Sequence, residues 1–236
     1  MTKVIAVIGA NGFVGKVMCE AARQHGFSVV EVTRENYEFA CSDQVVDYVV
    51  NCAMPSGRFW AKKNSASDFT ETVGKTSNII SDFPDSKIIQ ISSISARVQL
   101  DSIYGRHKLA AEALLDPDEH LVIRLGPLYH GSMTKGGLID IVNNRRVFLS
   151  GKTKYAFTPV DWVCDSILKH IDLCGVMELG SKGYVVLEDL ANSLNSTSEF
   201  DGICDDQIFP DGPDDRPSAG NVIAFACKKW GIKINE

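Results

Sequence analysis

"VIAVIGANGFVG", Val4 to Gly15, decides how the rest of the chain is read. Val4 to Ile8 is a short apolar, β-branched run that stops at a glycine, which predicts a buried strand. Glycines at 9, 12 and 15 predict a turn, and "GKVMCEAARQHG" beyond it has the pattern of a helix. In a strand–turn–helix unit of this kind each glycine has its own task. Gly9 permits the tight turn, Gly12 lets backbone approach a pyrophosphate, and Gly15 lets the helix pack closely on the sheet. The helix N-terminus then presents free N–H groups and a partial positive charge to an anion. Gly9, Asn11, Gly12, Phe13 and Val14 are therefore candidate dinucleotide contacts. The spacing is GxxGxxG, not the commoner GxGxxG, and a turn of purely structural use is the plain alternative.

Working outward, "FSVVEVT", "DYVVNCA", "KIIQISS" and "HLVIRLG" read as four more strands. Helical stretches fall between most of them, notably "DFTETVGKTSNIISDF" and "IYGRHKLAAEALL". Strands alternating with helices imply βαβ units, hence an α/β fold with a doubly wound parallel sheet. Ligands of such sheets sit beyond the carboxyl ends of the strands. Between Arg34 and Asp47 only about a dozen residues remain, so one strand–helix crossover is shortened or lost. "EFDGICDDQIFPDGPDDRP" is acidic and turn-rich and reads as a solvated surface loop. Its Asp spacing does not follow a calcium-loop pattern.

The bulk numbers limit the function classes. A length of 236 residues with 44% apolar content supports one large domain, or one domain with a smaller lobe. A net charge of -6 argues against a general nucleic-acid binder, which needs a basic surface. Seven cysteines without a CxxC pair form a poor disulfide framework and fit a reducing cytosol. The first apolar run ends in a glycine turn, and no run approaches the ~20 residues that span a bilayer. The expectation is a soluble, cytoplasmic protein with no membrane partner.

The second strand ends "VTRE". Readers of NAD place an acid there for the ribose hydroxyls, whereas Arg34 offers a guanidinium fork suited to the 2′-phosphate of NADP. Glu35 beside it leaves NAD open. Downstream, Tyr104 and Lys108 in "YGRHKLAAE" lie four residues apart, on one helix face. A free tyrosine, with a pKa of about 10, is a poor acid–base group at neutral pH. A neighbouring ammonium favours the phenolate, and the same lysine can hold a nicotinamide ribose. The strand-end serines Ser92 and Ser93 supply a hydroxyl to hold a substrate oxygen.

At this point the chain resembles the short-chain dehydrogenase/reductase superfamily, in its extended branch of NAD(P)-dependent epimerases, dehydratases and 4-keto-sugar-nucleotide reductases. "GANGFVG", "DYVVNCA", "ISS" and "YGRHKLAAE" look like the branch's cofactor turn, cofactor-side strand, serine and Tyr-x-x-x-Lys. "VIRLGPLYHG", "FTPVDWVCDSI", "MELGSKGYVVLEDLANSL" and "DDRPSAGNV" resemble its later segments. The resemblance implies Tyr104, Lys108 and Ser93 as catalytic residues, with Ser93 preferred over Ser92. It implies Cys52, Ala53 and Met54 as backbone neighbours of the cofactor, joined by Arg34, Tyr104 and Lys108. It further implies a Rossmann-like NADP-binding core over residues 1–130. Residues 131–236 would hold the remaining sheet elements and a small substrate-binding lobe, the whole forming one compact unit. Thr72 stands where the branch usually carries a helical Asn, and Leu125 where proline usually follows Arg124.

The implied activity is hydride transfer on a nucleotide-activated sugar, with a homodimer allowed. Two alternatives stay open: a dinucleotide-sensing regulator without chemistry, and a reductase of a non-sugar carbonyl. The five histidines are too scattered for a metal site. His107 and His130 can line a cleft or sit on the surface. Arg216 can clamp a diphosphate or form a local ion pair, and Trp60 can stack on a base or anchor a subunit contact.

Overall fold

The structure, a computed structural model, describes residues 2–42, 45–210, 212 and 215–233. In β1 (Val4–Ile8) the four residues from Ile5 are buried, as a strand covered on both faces requires. It leads into α1 (Phe13–Gln24), whose inward face is Gly15, Val17, Met18, Cys19 and Ala22. There follow β2 (Ser28–Val32), α2 (Tyr37–Ser42), β3 (Tyr48–Asn51) and α3 (Arg58–Lys63). α4 (Ser65–Phe69) continues through a π turn at Thr70–Gly74 into α5 (Lys75–Asp82). β4 (Lys87–Ser93), the short α6 (Ser95–Val98), α7 (Ile103–Glu112) and β5 (Leu121–Leu125) complete this run. The remainder holds β6 (Leu128–Tyr129), α8 (Gly137–Val142), β7 (Lys154–Tyr155), β8 (Thr158–Pro159), α9 (Val160–Lys169), β9 (Gly175–Leu179), β10 (Val185–Val186), α10 (Leu187–Ser193) and α11 (Asn221–Trp230).

Two compact units result, one of residues 1–125 and 164–179, the other of 126–163 and 180–236. The first contains a six-stranded sheet in the order β2-β1-β3-β4-β5-β9, with every pairing parallel. Its register aligns Ile8 with Val32 and Asn51, and Ser93 with Leu125. The turns after β1, β2, β3 and β4 therefore leave from one edge. A core of Ala6, Ile8, Val49, Ile79, Ile88 and Val122, among others, fixes the sheet against its helices. The second unit has its own core around Leu138, Ile141, Phe157, Leu187, Leu190 and Val222.

The short crossover is kept and carries only the six residues of α2. Among the described residues the sheet stops at β2, where the common doubly wound order adds another strand. The acidic segment differs from a solvated loop. Asp205 and Gln207 are buried. The Tyr155 hydroxyl donates to Asp205 Oδ2 at 3.3 Å, and the Ala156 N–H donates to the Gln207 carbonyl at 2.9 Å. Its acids are part of the second unit's hydrogen bonding, which composition alone does not show. Residues 211, 213 and 214 of the segment lie outside the described residues.

Candidate functional site

The glycine turn is built by close approach. Gly9 has φ +82, and a Cβ there would meet the Ala53 backbone at 2.9 Å. At Gly15 a Cβ would lie 2.1 Å from the Gly9 carbonyl oxygen, so α1 can rest on the turn only without a side chain. Gly12 caps α1 without a side-chain hydrogen bond, and no acid occupies the first turn. Gly12 has no side chain to lay over the leading N–H groups, and Asn11, Gly12 and Phe13 are exposed around them. This cradle fits a dinucleotide pyrophosphate by backbone donation and helix polarity.

At the edge of the sheet the Gly9 N–H donates to the Val32 carbonyl at 2.9 Å, tying the turn to the end of β2. Beyond it Arg34 is 91% exposed, with Nη2 only 3.8 Å from Glu71 Oε2. Glu71 holds Lys75 at 2.5 Å, and that ion pair keeps the Glu71 carboxyl below its usual range. Lys75 Nζ reaches the Ala53 carbonyl at 3.5 Å. Asn36, unremarked in the sequence, pins the Arg34 loop: its side-chain oxygen accepts from the Thr33 N–H at 2.7 Å and its amide donates to the Glu31 carbonyl at 2.9 Å. Asn is a turn former for this reason.

After β3 the backbone donors of two candidates are already engaged. The Cys52 N–H donates to Ile8 O at 2.9 Å and the Ala53 N–H to Asn51 Oδ1 at 3.1 Å. Their carbonyls are what they can offer. Asn51 in turn donates to Gln90 at 3.0 Å, and Gln90 reaches the Met54 sulfur. Burial pushes the Cys52 thiol well up, which suits packing and not chemistry.

Ser93, Tyr104 and Lys108 converge in the first unit. Tyr104 is 7% and Lys108 3% exposed. The Lys108 ammonium lies over the Tyr104 ring, 5.2 Å from its centre. Burial pushes the Tyr104 phenol up to about 12, while the nearby Ser93 hydroxyl and the Arg58 charge pull the other way. Burial drives Lys108 down to about 7, opposed first by Asp68 and then by Glu112. Ser93 Oγ also accepts from the Ser95 N–H at 3.2 Å. Ser92 points elsewhere: its hydroxyl donates to Glu112 Oε1 at 2.5 Å, and Glu112 grips Arg124 Nη2 at 2.6 Å.

Gly105 sets the entry of α7. Its Cβ would meet the Gln99 carbonyl at 2.2 Å, and the Ser102 hydroxyl caps the helix by accepting from the Gly105 N–H at 2.9 Å. A Ser three residues before a helical Gly was the available signal. Thr72 is fully buried on the π turn, its hydroxyl without a protein partner, and its carbonyl accepts from Thr76 Oγ1 at 2.8 Å. His107 bonds Asp68 at 2.7 Å. His130 bonds Ser132 at 2.8 Å. Arg216 donates to the Pro210 carbonyl at 3.0 Å, and Trp60 is 41% exposed on α3. Among the described residues no group of His, Cys, Asp and Glu could hold a metal ion, and no helix is long and apolar enough to cross a membrane.

Residues 5–117 match the NAD dependent epimerase/dehydratase family. No curated protein matches the sequence. Among solved structures, a dTDP-4-dehydrorhamnose reductase from Bacillus anthracis in complex with NADP superposes with a TM-score of 0.81 at 15% identity, covering 97% of this chain and 99% of that one. An NAD dependent NDP-hexosamine 5,6-dehydratase involved in tunicamycin biosynthesis gives 0.79 at 14% identity, covering 98% of each chain. A UDP-N-acetylglucosamine 4-epimerase from Bacillus cereus gives 0.70 at 18%, covering 98% and 100%. At these identities the likeness establishes the fold.

Proposed function

We propose, from the match of residues 5–117 to the NAD dependent epimerase/dehydratase family, that the protein is an NAD(P)(H)-dependent oxidoreductase or epimerase acting on a nucleotide-activated sugar. The bound dinucleotide supplies the hydride chemistry. The chain's own residues orient it and move a proton. The glycine-capped N-terminus of α1 receives the pyrophosphate, and Arg34 just beyond β2 receives the 2′-phosphate of NADP. Lys108 holds the nicotinamide ribose. Ser93 holds the reacting oxygen of the sugar, and Tyr104 gives that oxygen a proton or takes one from it.

One observation carries this reading: the Lys108 ammonium covers the Tyr104 ring, and Ser93 is near enough to pull the phenol down, within the unit that holds the glycine cradle. A phenol pushed up to about 12 is protonated at neutral pH, the form that donates to a carbonyl oxygen as hydride arrives at its carbon. The test is a panel of nucleotide sugars and 4-keto sugars assayed for NADPH and NADH turnover. Turnover lost on Tyr104→Phe, with dinucleotide binding retained, supports the reading.

The sensor alternative has one observation in its favour. Lys108, driven down to about 7, is only partly charged at neutral pH, and a binding protein tolerates that better than a catalyst. Tight dinucleotide binding without turnover on sugars or other carbonyls would select it.

A further inference from the structure

Asp68, on α4, is fully buried. His107 Nδ1 holds one of its oxygens at 2.7 Å, and the other, Oδ1, is buried without a protein partner. The His107 ring is itself fixed by the edge of Phe69, at 5.4 Å between centres. A carboxylate taken wholly from water is costly unless opposite charge answers it. His107 lies on α7 between Tyr104 and Lys108, so the carboxylate is anchored beside the reacting pair.

The charges facing Lys108 come from three elements. Asp68 on α4 and Glu112 on α7 favour its ammonium, Lys75 on α5 opposes it, and the Tyr104 ring lies beneath it. Glu112 is already committed, since Ser92 and Arg124 donate to it at 2.5 and 2.6 Å. Asp68 is the carboxylate with an oxygen to spare. Resting on the reading of Tyr104 and Lys108 as the reacting pair, we propose that Asp68, locked by His107, is a positioning residue that raises the share of Lys108 held as the ammonium beside Tyr104. Without it, burial would discharge the lysine at neutral pH, and the charge that steadies the phenolate and the ribose would be lost.

The test titrates Lys108 in the full-length protein, alone and with NADPH bound, by the side-chain resonance of isotopically labelled lysine, assigned by its disappearance in Lys108→Met. Asp68→Asn should lower the titration midpoint by about one pH unit or more, the scale set by one close charge. In turnover assays it should move the pH optimum downward, to where the lysine regains its proton. His107→Gln, whose amide can still donate to Asp68, should leave the midpoint in place, whereas His107→Ala should lower it. A folded Asp68→Asn protein with an unmoved midpoint would overturn the proposal. Should Asp68→Asn fail to fold, equal midpoints in His107→Gln and His107→Ala would do the same. The titration needs no turnover, so a protein with no activity on any sugar would sink the functional reading and leave this one standing.

Discussion

The Lys108 ammonium sits 5.2 Å from the centre of the Tyr104 ring, one turn further along α7. Both side chains are buried, and burial moves them in opposite directions, the phenol up to about 12 and the ammonium down to about 7. Each neutral form is favoured by the absence of water; that suits the phenol as a proton donor, whereas the ammonium needs opposite charge to keep its proton. For the Lys108 ammonium that charge is the Asp68 carboxylate.

Lys108 should therefore carry a stability penalty. Its folded value near 7 lies below the ordinary 10.5, so between those pH values the unfolded chain binds a proton that the folded chain does not. Stability falls as pH drops through that window and is flat below it. The penalty is at most about 5 kcal/mol, at about 1.4 kcal/mol per pKa unit. Thermal melts should show Lys108→Met more stable than the parent at neutral pH, with the gain fading as pH rises. A gain independent of pH would contradict the assignment.

The two strand-end serines should separate by phenotype. Ser92→Ala removes a buried hydrogen bond to the Glu112 carboxylate and should cost about 1.5–3 kcal/mol in denaturant unfolding with little change in turnover. Ser93→Ala also takes the acceptor from the buried Ser95 N–H, so its distinguishing effect should be a loss of turnover that Ser92→Ala does not show. Reversed phenotypes would assign the substrate hydroxyl to Ser92.

Cofactor preference should follow Arg34. A charge-assisted hydrogen bond of about 1.5–3 kcal/mol corresponds to about ten- to a hundred-fold in affinity. Calorimetry should find NADPH bound more tightly than NADH, with Arg34→Ala removing most of the difference. Glu71→Gln should widen it, because the carboxylate beside Arg34 and Lys75 competes with an incoming phosphate. Equal affinities in the parent protein would show that Arg34 reads no phosphate.

At Gly15 an added methyl would meet backbone at 2.1 Å, with no flexible atom to give way. Gly15→Ala should displace α1 from the turn and weaken NADPH binding more than Gly26→Ala weakens it. Gly26 has open space around it, and its positive φ strains only the far end of the helix. Equal binding by both variants would argue against the turn as the pyrophosphate site.

The parallel sheet was legible because its signals are local. The apolar runs at Val4, Tyr48, Lys87 and Leu121 became strands within a residue or so of their expected limits, and Gly9 marked the first turn. The missing edge strand was foreshadowed by the short stretch between Arg34 and Asp47. What could not be read joins residues far apart in sequence. Asp68 and His107 are 39 positions apart, and nothing in "SDFTE" distinguishes a buried carboxylate from a solvated one. Ser92, Glu112 and Arg124 likewise form one buried network from three elements. The acidic segment misled because its charges count as exposed in composition, whereas Asp205 finds the Tyr155 hydroxyl only in the fold.

Hydride transfer itself is tested most directly by incubating the protein with a nucleotide-linked keto sugar and NADPH deuterated at the transferring carbon, then reading the product by mass spectrometry. The account predicts deuterium on the former carbonyl carbon, formed about 10²–10⁴-fold more slowly by Tyr104→Phe while NADPH binding is unchanged. Tightly bound NADPH that passes no deuterium to any sugar or other carbonyl, or a Tyr104→Phe protein as fast as the parent, would contradict it.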